Sequence, residues 1–302
     1  WLWATSNLIK LVSSSVHLFP NSPCHPALFK NTWTMSQRPP NLSLNSPQKP
    51  TSLPSDPWSL SWPTRTSPTS MPPTKPPSNL IVHSAVAKFT SDALYNPHPK
   101  PQWQNAVEET RTLVGRYINA DPSSLAFTRD TTEALGCFIR SLKFEPGDNV
   151  VVLDTENPNQ VYGWMALRKA GLEIRQVPTI PAAEETGHVT AANAATFAPY
   201  VDERTKAIGL SSIMFHSGQW NDVADICATY RPRGVHVLAD LTQQVGFAEV
   251  DVRALGVSAA AFSLHKGLNC PTGFAVLYVD SEFIADTDPT PPIVGYRAVS
   301  NS

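Results

Sequence analysis

From about Asn79 onward, short β-rich runs alternate with helical stretches, and this alternation restricts the fold more than any other feature of the chain. The β-rich runs fall at 125–128, 149–153, 173–177, 207–212, 235–239, 259–263 and 274–279. Helical stretches at 131–142, 161–170, 191–200, 223–230 and 252–255 lie between them, and two more, at 85–94 and 103–118, precede them. In the second of these, Trp103, Val107, Thr110, Val114, Tyr117 and Ile118 fall on one side of a helix. Strands separated by helices predict an α/β fold, with a mostly parallel seven-stranded sheet flanked by helices. In such sheets ligands sit at the carboxyl ends of the strands, so the residues found there are the first candidates for function.

The segment 1–79 has a different character. It holds about half of the prolines, is dense in Ser, Thr and Asn, and reaches its first acidic residue only at Asp56. No glycine occurs before Gly115. Such a composition buries too little apolar surface to offset the entropy of ordering, so 1–79 is expected to be disordered or mistranslated. Residues 80–285 then form the folded domain, and 286–302 start a further segment.

A net charge of −2 gives no broad electrostatic footprint for nucleic acid, and no apolar run is long enough to span a bilayer. Cys24, Cys137, Cys227 and Cys270 are scattered, without metal-ligand spacing or a disulfide framework, and a cytoplasmic setting is expected.

Three strand ends carry the chemistry. The run 235–239 leads directly into Asp240, a carboxylate whose burial calls for a cation opposite it. The run 259–263 opens into Ser263-Leu264-His265-Lys266-Gly267, which brings a lysine to a strand end. The run 125–128 leads into Asp130-Thr131-Thr132-Glu133, a capping-box-like helix start whose free N–H groups and hydroxyls suit an anion. Each has an ordinary structural explanation: Asp caps turns, Thr-Thr-Glu starts helices, and His-Lys is commonly solvated surface. Together they offer an anion cradle, a buried carboxylate and a strand-end amine, the set required by a phosphorylated pyridine aldehyde.

With Thr128-Arg129-Asp130-Thr131-Thr132-Glu133-Ala134, Asp240-Leu241-Thr242-Gln243-Gln244-Val245-Gly246, and Ser263-Leu264-His265-Lys266-Gly267 followed by Pro271-Thr272-Gly273, the chain resembles the class V aminotransferases. That family includes cysteine desulfurases and related C–S lyases on the type I fold of pyridoxal 5'-phosphate (PLP) enzymes. The resemblance spans about 79–279 and implies the family's large domain, with the small C-terminal domain missing. It implies Lys266 as the Schiff-base lysine and Asp240 as the partner of the pyridine nitrogen. Gln243 would bond the ring's phenolic oxygen, and Thr131, Thr132, Ser263 and His265 would hold the phosphate. Asn157 stands where the family often has a ring-stacking histidine, and an amide there cannot act as an imidazole acid or base. Residues 211–219 depart from the family's pattern, with Phe215 in place of an asparagine and His216 a further candidate for lining the pocket. Cys270 precedes Pro271 where the family tends to have glycine.

The expected function is a PLP-dependent enzyme acting on an amino acid, of transaminase or C–S lyase type. As the resemblance implies, it would work as a homodimer. The alternative is a degenerate, catalytically inactive relative that serves as a binding partner. No G-x-G-x-x-G or Walker loop marks a nucleotide binder, and no G-x-S-x-G elbow marks a serine hydrolase.

Overall fold

The computed structural model describes residues 80–187 and 189–289. The segment 1–79 and residues 290–302 of the tail lie outside the described residues. Two helices, α1 (Leu80–Tyr95) and α2 (Lys100–Ile118), lead into β1 (Leu125–Thr128) and α3 (Thr131–Ser141). Then come β2 (Asn149–Leu153), α4 (Pro158–Met165), β3 (Glu173–Val177), α5 (Thr179–Thr186) and α6 (Ala194–Phe197). The chain continues through β4 (Thr205–Ser211), α7 (Val223–Tyr230), β5 (His236–Asp240) and α8 (Val252–Leu255). It closes with β6 (Ala259–Ser263), β7 (Ala275–Val279) and α9 (Ser281–Thr287).

The seven strands form one sheet in the order β1-β7-β6-β5-β4-β2-β3. The expected α/β architecture is therefore present. β7 runs antiparallel to both of its neighbours, and the other pairs are parallel. Six strands consequently point the same way and end along one edge. Register aligns those ends: Ser211 of β4 pairs with Asp240 of β5, and Asp240 pairs with Ala261 of β6.

Side chains alternate between the two faces with the strand period of two. Val151, Leu153, Ile208, Leu210, Val237 and Phe262 pack against Val114 and Ile118 of α2 and Ile226 and Tyr230 of α7. Val150, Val152, Leu238 and Leu277 pack on the other face against Leu135 and Phe138 of α3, Trp164 of α4 and Phe283 of α9. β2 and β6 are buried along their whole length, as expected of strands covered on both faces. On the α3 face, β6 presents the small side chains of Ala259 and Ala261, which lets the helix lie close.

The elements depart from the sequence reading where proline and glycine act at their ends. α2 starts at Lys100 because Pro101 sits in its first turn, where a missing N–H breaks no helical bond. The stretch 161–170 divides into α4 and a 3-10 turn, Arg168–Ala170, closed by Gly171 at φ +94°. The stretch 191–200 divides likewise into α6 and a 3-10 turn at Ala198–Tyr200. α5 and α9 were not anticipated. α9 is held by Phe283, which packs 4.8 Å from the ring of Phe138.

Candidate active site

Where β1 ends, α3 begins. Asp130 caps it, its Oδ1 accepting the Glu133 N–H at 2.8 Å. The Glu133 carboxylate reaches back to the Arg129 N–H at 2.7 Å rather than to the cap residue itself. Thr131 and Thr132 open the helix, and their N–H groups have no acceptor one turn back within it. The Thr131 hydroxyl is buried in a cluster, 2.5 Å from the Ser263 hydroxyl at the end of β6 and 3.1 Å from the Thr242 hydroxyl just past β5. The Ser263 N–H donates to Thr242 Oγ1 at 3.2 Å. Three hydroxyls from three strand ends thus meet at one helix N-terminus.

Asp240 closes β5 with only 8% of its surface exposed. Burial pushes its carboxyl above the usual range, while the Thr242 hydroxyl and N–H and the Lys266 ammonium draw it back. The Thr242 N–H donates to Asp240 Oδ1 at 2.9 Å. Lys266 is half-buried. Burial lowers its pKa and Asp240 opposes that shift, so the two groups act on each other's charge. The lysine loop is seated by backbone contact. Gly246 lies at φ +88°, and a Cβ placed on it would stand 2.3 Å from the Gly267 carbonyl carbon. A Cβ on Gly267 would stand 2.3 Å from the Val245 oxygen. Glycine is required at both positions for the segments after β5 and β6 to touch, and this contact fixes Lys266 opposite Asp240.

The end of β2 supplies the third side. Glu156 is 2% exposed, and its two carboxylate oxygens accept the Ser211 N–H and hydroxyl, each at 2.7 Å. Burial raises its pKa to about 7 against those hydrogen bonds, and the nearby Asp240 charge adds to the rise. Asn157 caps α4, accepting the Asn159 N–H at 3.0 Å. α4 is seated over Gly209 of β4, where a Cβ would come 2.8 Å from Trp164 Nε1, and Gln160 Nε2 donates to the Leu238 carbonyl at 2.9 Å.

These groups surround a cavity of about 230 Å³. The residues expected to act on or hold the cofactor line it: Thr131, Thr132, Asn157, Asp240, Gln243, Ser263, His265 and Lys266. Phe215 also lines it, while His216 stands outside the lining with its imidazole bonded to the Thr155 backbone. Cys270 is buried and is not part of the lining. The sequence reading missed Thr242, the hub of the hydroxyl cluster, and Glu156. The signals that could have found them were the position of Thr242 two residues after the strand-end acid and that of Glu156 three residues after the apolar run 150–153.

Among the described residues no helix is long and apolar enough to cross a membrane, and no cluster of His, Cys, Asp and Glu could hold a metal.

Residues 81–297 match the family described as Aminotransferase class-V. Protein C11D3.10 of Schizosaccharomyces pombe is 58% identical over 226 residues, covering 74% of this chain and 50% of the relative. The uncharacterized aminotransferase C777.03c of the same yeast is 54% identical over 228 residues, covering 75% of this chain and 56% of the relative. A probable cysteine desulfurase of Methanothermobacter thermautotrophicus is 33% identical over 183 residues, covering 61% of this chain and 44% of the relative. The chain thus spans about half the length of the curated relatives it matches. Among solved structures, the cystine C–S lyase C-DES with its product cysteine persulfide superposes with a TM-score of 0.64 at 23% identity, covering 71% of this chain and 57% of that one. The cysteine desulfurase CsdA of Escherichia coli superposes at 0.62 and 24% identity, covering 73% and 55%. These two show a shared fold. The chain belongs to the class V aminotransferase family, whose cofactor is pyridoxal 5'-phosphate.

Proposed function

We propose that residues 80–285 form the cofactor-binding large domain of a PLP-dependent enzyme that acts on an amino acid, with Lys266 as the residue that takes the cofactor. The observation that carries this reading is that Lys266 and the buried Asp240 line one cavity, where each bears on the other's charge, together with a cluster of hydroxyls at a helix N-terminus. The donor set suits the group. The Thr131 and Ser263 hydroxyls, the α3 N-terminus, Thr132 and His265 would receive a phosphate. Asp240 would hold a proton on the pyridine nitrogen, and Gln243 would bond the phenolic oxygen. When bound, the cofactor supplies an electron sink for the α-carbon of an amino acid.

The side chains divide the remaining work. The lowered pKa of Lys266 increases the neutral fraction of its amine, the form that condenses with an aldehyde and later accepts the α-proton of the substrate. Burial works against the charge of Asp240, and the Thr242 hydrogen bonds and the Lys266 ammonium work in its favour. Phe215 and Asn157 line the same cavity. Transamination and C–S cleavage at the β-carbon both begin with loss of the α-proton, and these residues serve either.

The homodimer in this reading rests on membership of the family. Cys137 and Cys227, neither of them in a disulfide, support a cytoplasmic setting.

The test is spectroscopic. Purified protein given PLP is expected to turn yellow, to be trapped by borohydride with the label on Lys266, and to lose the colour as Lys266→Ala. Equal, reducible uptake by wild type and variant would refute the assignment. Colour without turnover of any amino acid would favour the non-catalytic alternative.

A further inference from the structure

Resting on the PLP reading, we propose that Thr242 is a positioning residue that ties the ring-binding acid to the phosphate-binding hydroxyls and so sets the distance between the two ends of the cofactor. Thr242 is 7% exposed and lines the cavity. Its N–H donates to Asp240 Oδ1 at 2.9 Å, and its hydroxyl also bonds that carboxylate. The same hydroxyl oxygen receives the Ser263 N–H at 3.2 Å and lies 3.1 Å from Thr131 Oγ1.

Proton counting gives the hydroxyl a direction. A threonine O–H has one proton to donate, and the carboxylate is acceptor-only while it is ionised. The Thr242 proton therefore goes to Asp240, and its lone pairs accept from the Ser263 N–H and the Thr131 hydroxyl. With the Thr131 proton given to Thr242, the 2.5 Å contact between Thr131 and Ser263 has the Ser263 hydroxyl as its donor, so Thr242 holds both residues in place. Thr242 thus reaches Asp240 through its N–H and both Thr131 and Ser263 through its hydroxyl oxygen.

Thr242→Val keeps the shape and the backbone N–H but removes the hydroxyl. Thr242→Ser keeps the hydroxyl. Affinities for PLP and for pyridoxal, which lacks the phosphate, are measured by absorbance titration of the three proteins, with circular dichroism confirming that each is folded. Loss of hydrogen bonding to a charged group predicts PLP binding weakened by about 10- to 100-fold in Thr242→Val. Recovery to within about threefold is expected in Thr242→Ser, a difference well below one kilocalorie on the affinity scale. Pyridoxal, which has no phosphate to place, is expected to lose less than PLP in the valine variant. Unchanged PLP affinity in Thr242→Val overturns the inference, as does failure of serine to rescue or an equal loss for both ligands. A wild-type protein that takes up no PLP overturns the cofactor reading itself, whereas wild-type uptake with an indifferent valine variant overturns only the role of Thr242. Should Thr242→Val not fold, Thr242→Ala and Thr242→Ser are compared in the same titration, with the same outcomes deciding.

Discussion

Glu156→Gln isolates the effect of burying a carboxyl behind the site. Glutamine preserves the geometry, since its Oε1 can accept the Ser211 N–H and its amide can donate to the Ser211 hydroxyl, but it cannot ionise. In the wild type, burial and the neighbouring Asp240 raise the Glu156 pKa from 4.5 to about 7. An acid whose pKa is higher in the folded state stabilises the fold fully below its unfolded pKa, and that contribution is lost as pH rises through the folded pKa. At 1.36 kcal/mol per unit, the shift to about 7 corresponds to about 3 kcal/mol, an order-of-magnitude figure for a fully buried group. Integrated between pH 5 and pH 8, about 2.5 kcal/mol of it is lost.

The charged group that bears on Glu156 is Asp240, and Lys266 lies beyond it. Asp240 has a raised pKa, which makes its stability contribution fall with pH as well. Lys266 has a lowered pKa and contributes with the opposite sign, stability rising with pH. Both remain in the variant, so the difference between the two proteins reports Glu156. Urea unfolding of cofactor-free protein at pH 5, 6, 7 and 8 measures it. The wild type is expected to lose about 2.5 kcal/mol more than Glu156→Gln across this range, most steeply between pH 5 and 7. A difference that stays flat with pH would show that Glu156 titrates as an ordinary carboxyl, and the argument from burial would fail.

Two further perturbations address the scaffold. Gly246→Ala is expected to destabilise by about 2 kcal/mol or more, because it combines a left-handed φ with a clash against the Gly267 backbone. Urea unfolding measures it, and a loss under about 0.5 kcal/mol would mean that the close approach is unimportant. Asp130→Ala removes the α3 cap and is expected to cost about 1 kcal/mol, while Asp130→Asn is expected to stay within a few tenths of wild type in the same assay.

Asp240, Lys266 and Thr131 were legible in the sequence because each follows an apolar strand, and strand ends in an α/β sheet are where functional groups collect. The order of the strands explains why they meet. β7 intervenes between β1 and β6 but runs the opposite way, so the end of β1 still faces the end of β6, and Thr131 reaches Ser263 across 132 residues of chain. Thr242 stayed hidden because its importance lies in its partners, which come from two other strand ends. Glu156 was hidden for the same reason: Ser211, which satisfies it, arrives 55 residues later. Asn157, placed at the cofactor by the resemblance, lines the cavity and also caps α4. α5 went unread because a helix of eight residues with prolines at its start and no buried stripe offers no periodicity to detect.

The coupling of Asp240 and Lys266 also governs how a lysine deletion should be interpreted. Each is penalised by burial and relieved by the other. Removing the Lys266 ammonium leaves Asp240 buried without its cation, and the carboxyl responds by holding its proton more tightly. A protonated Asp240 no longer offers a negative charge to the pyridine nitrogen. Lys266→Ala therefore removes the covalent attachment and also weakens the non-covalent hold on the ring. Absence of colour in that variant is thus the sum of two losses with one origin, and it does not by itself locate the bond. Borohydride trapping in the wild type does locate it, because reduction fixes the cofactor on whichever amine has condensed with it. Lys266→Arg separates the two losses: guanidinium keeps a positive charge near Asp240 but cannot condense with an aldehyde at neutral pH.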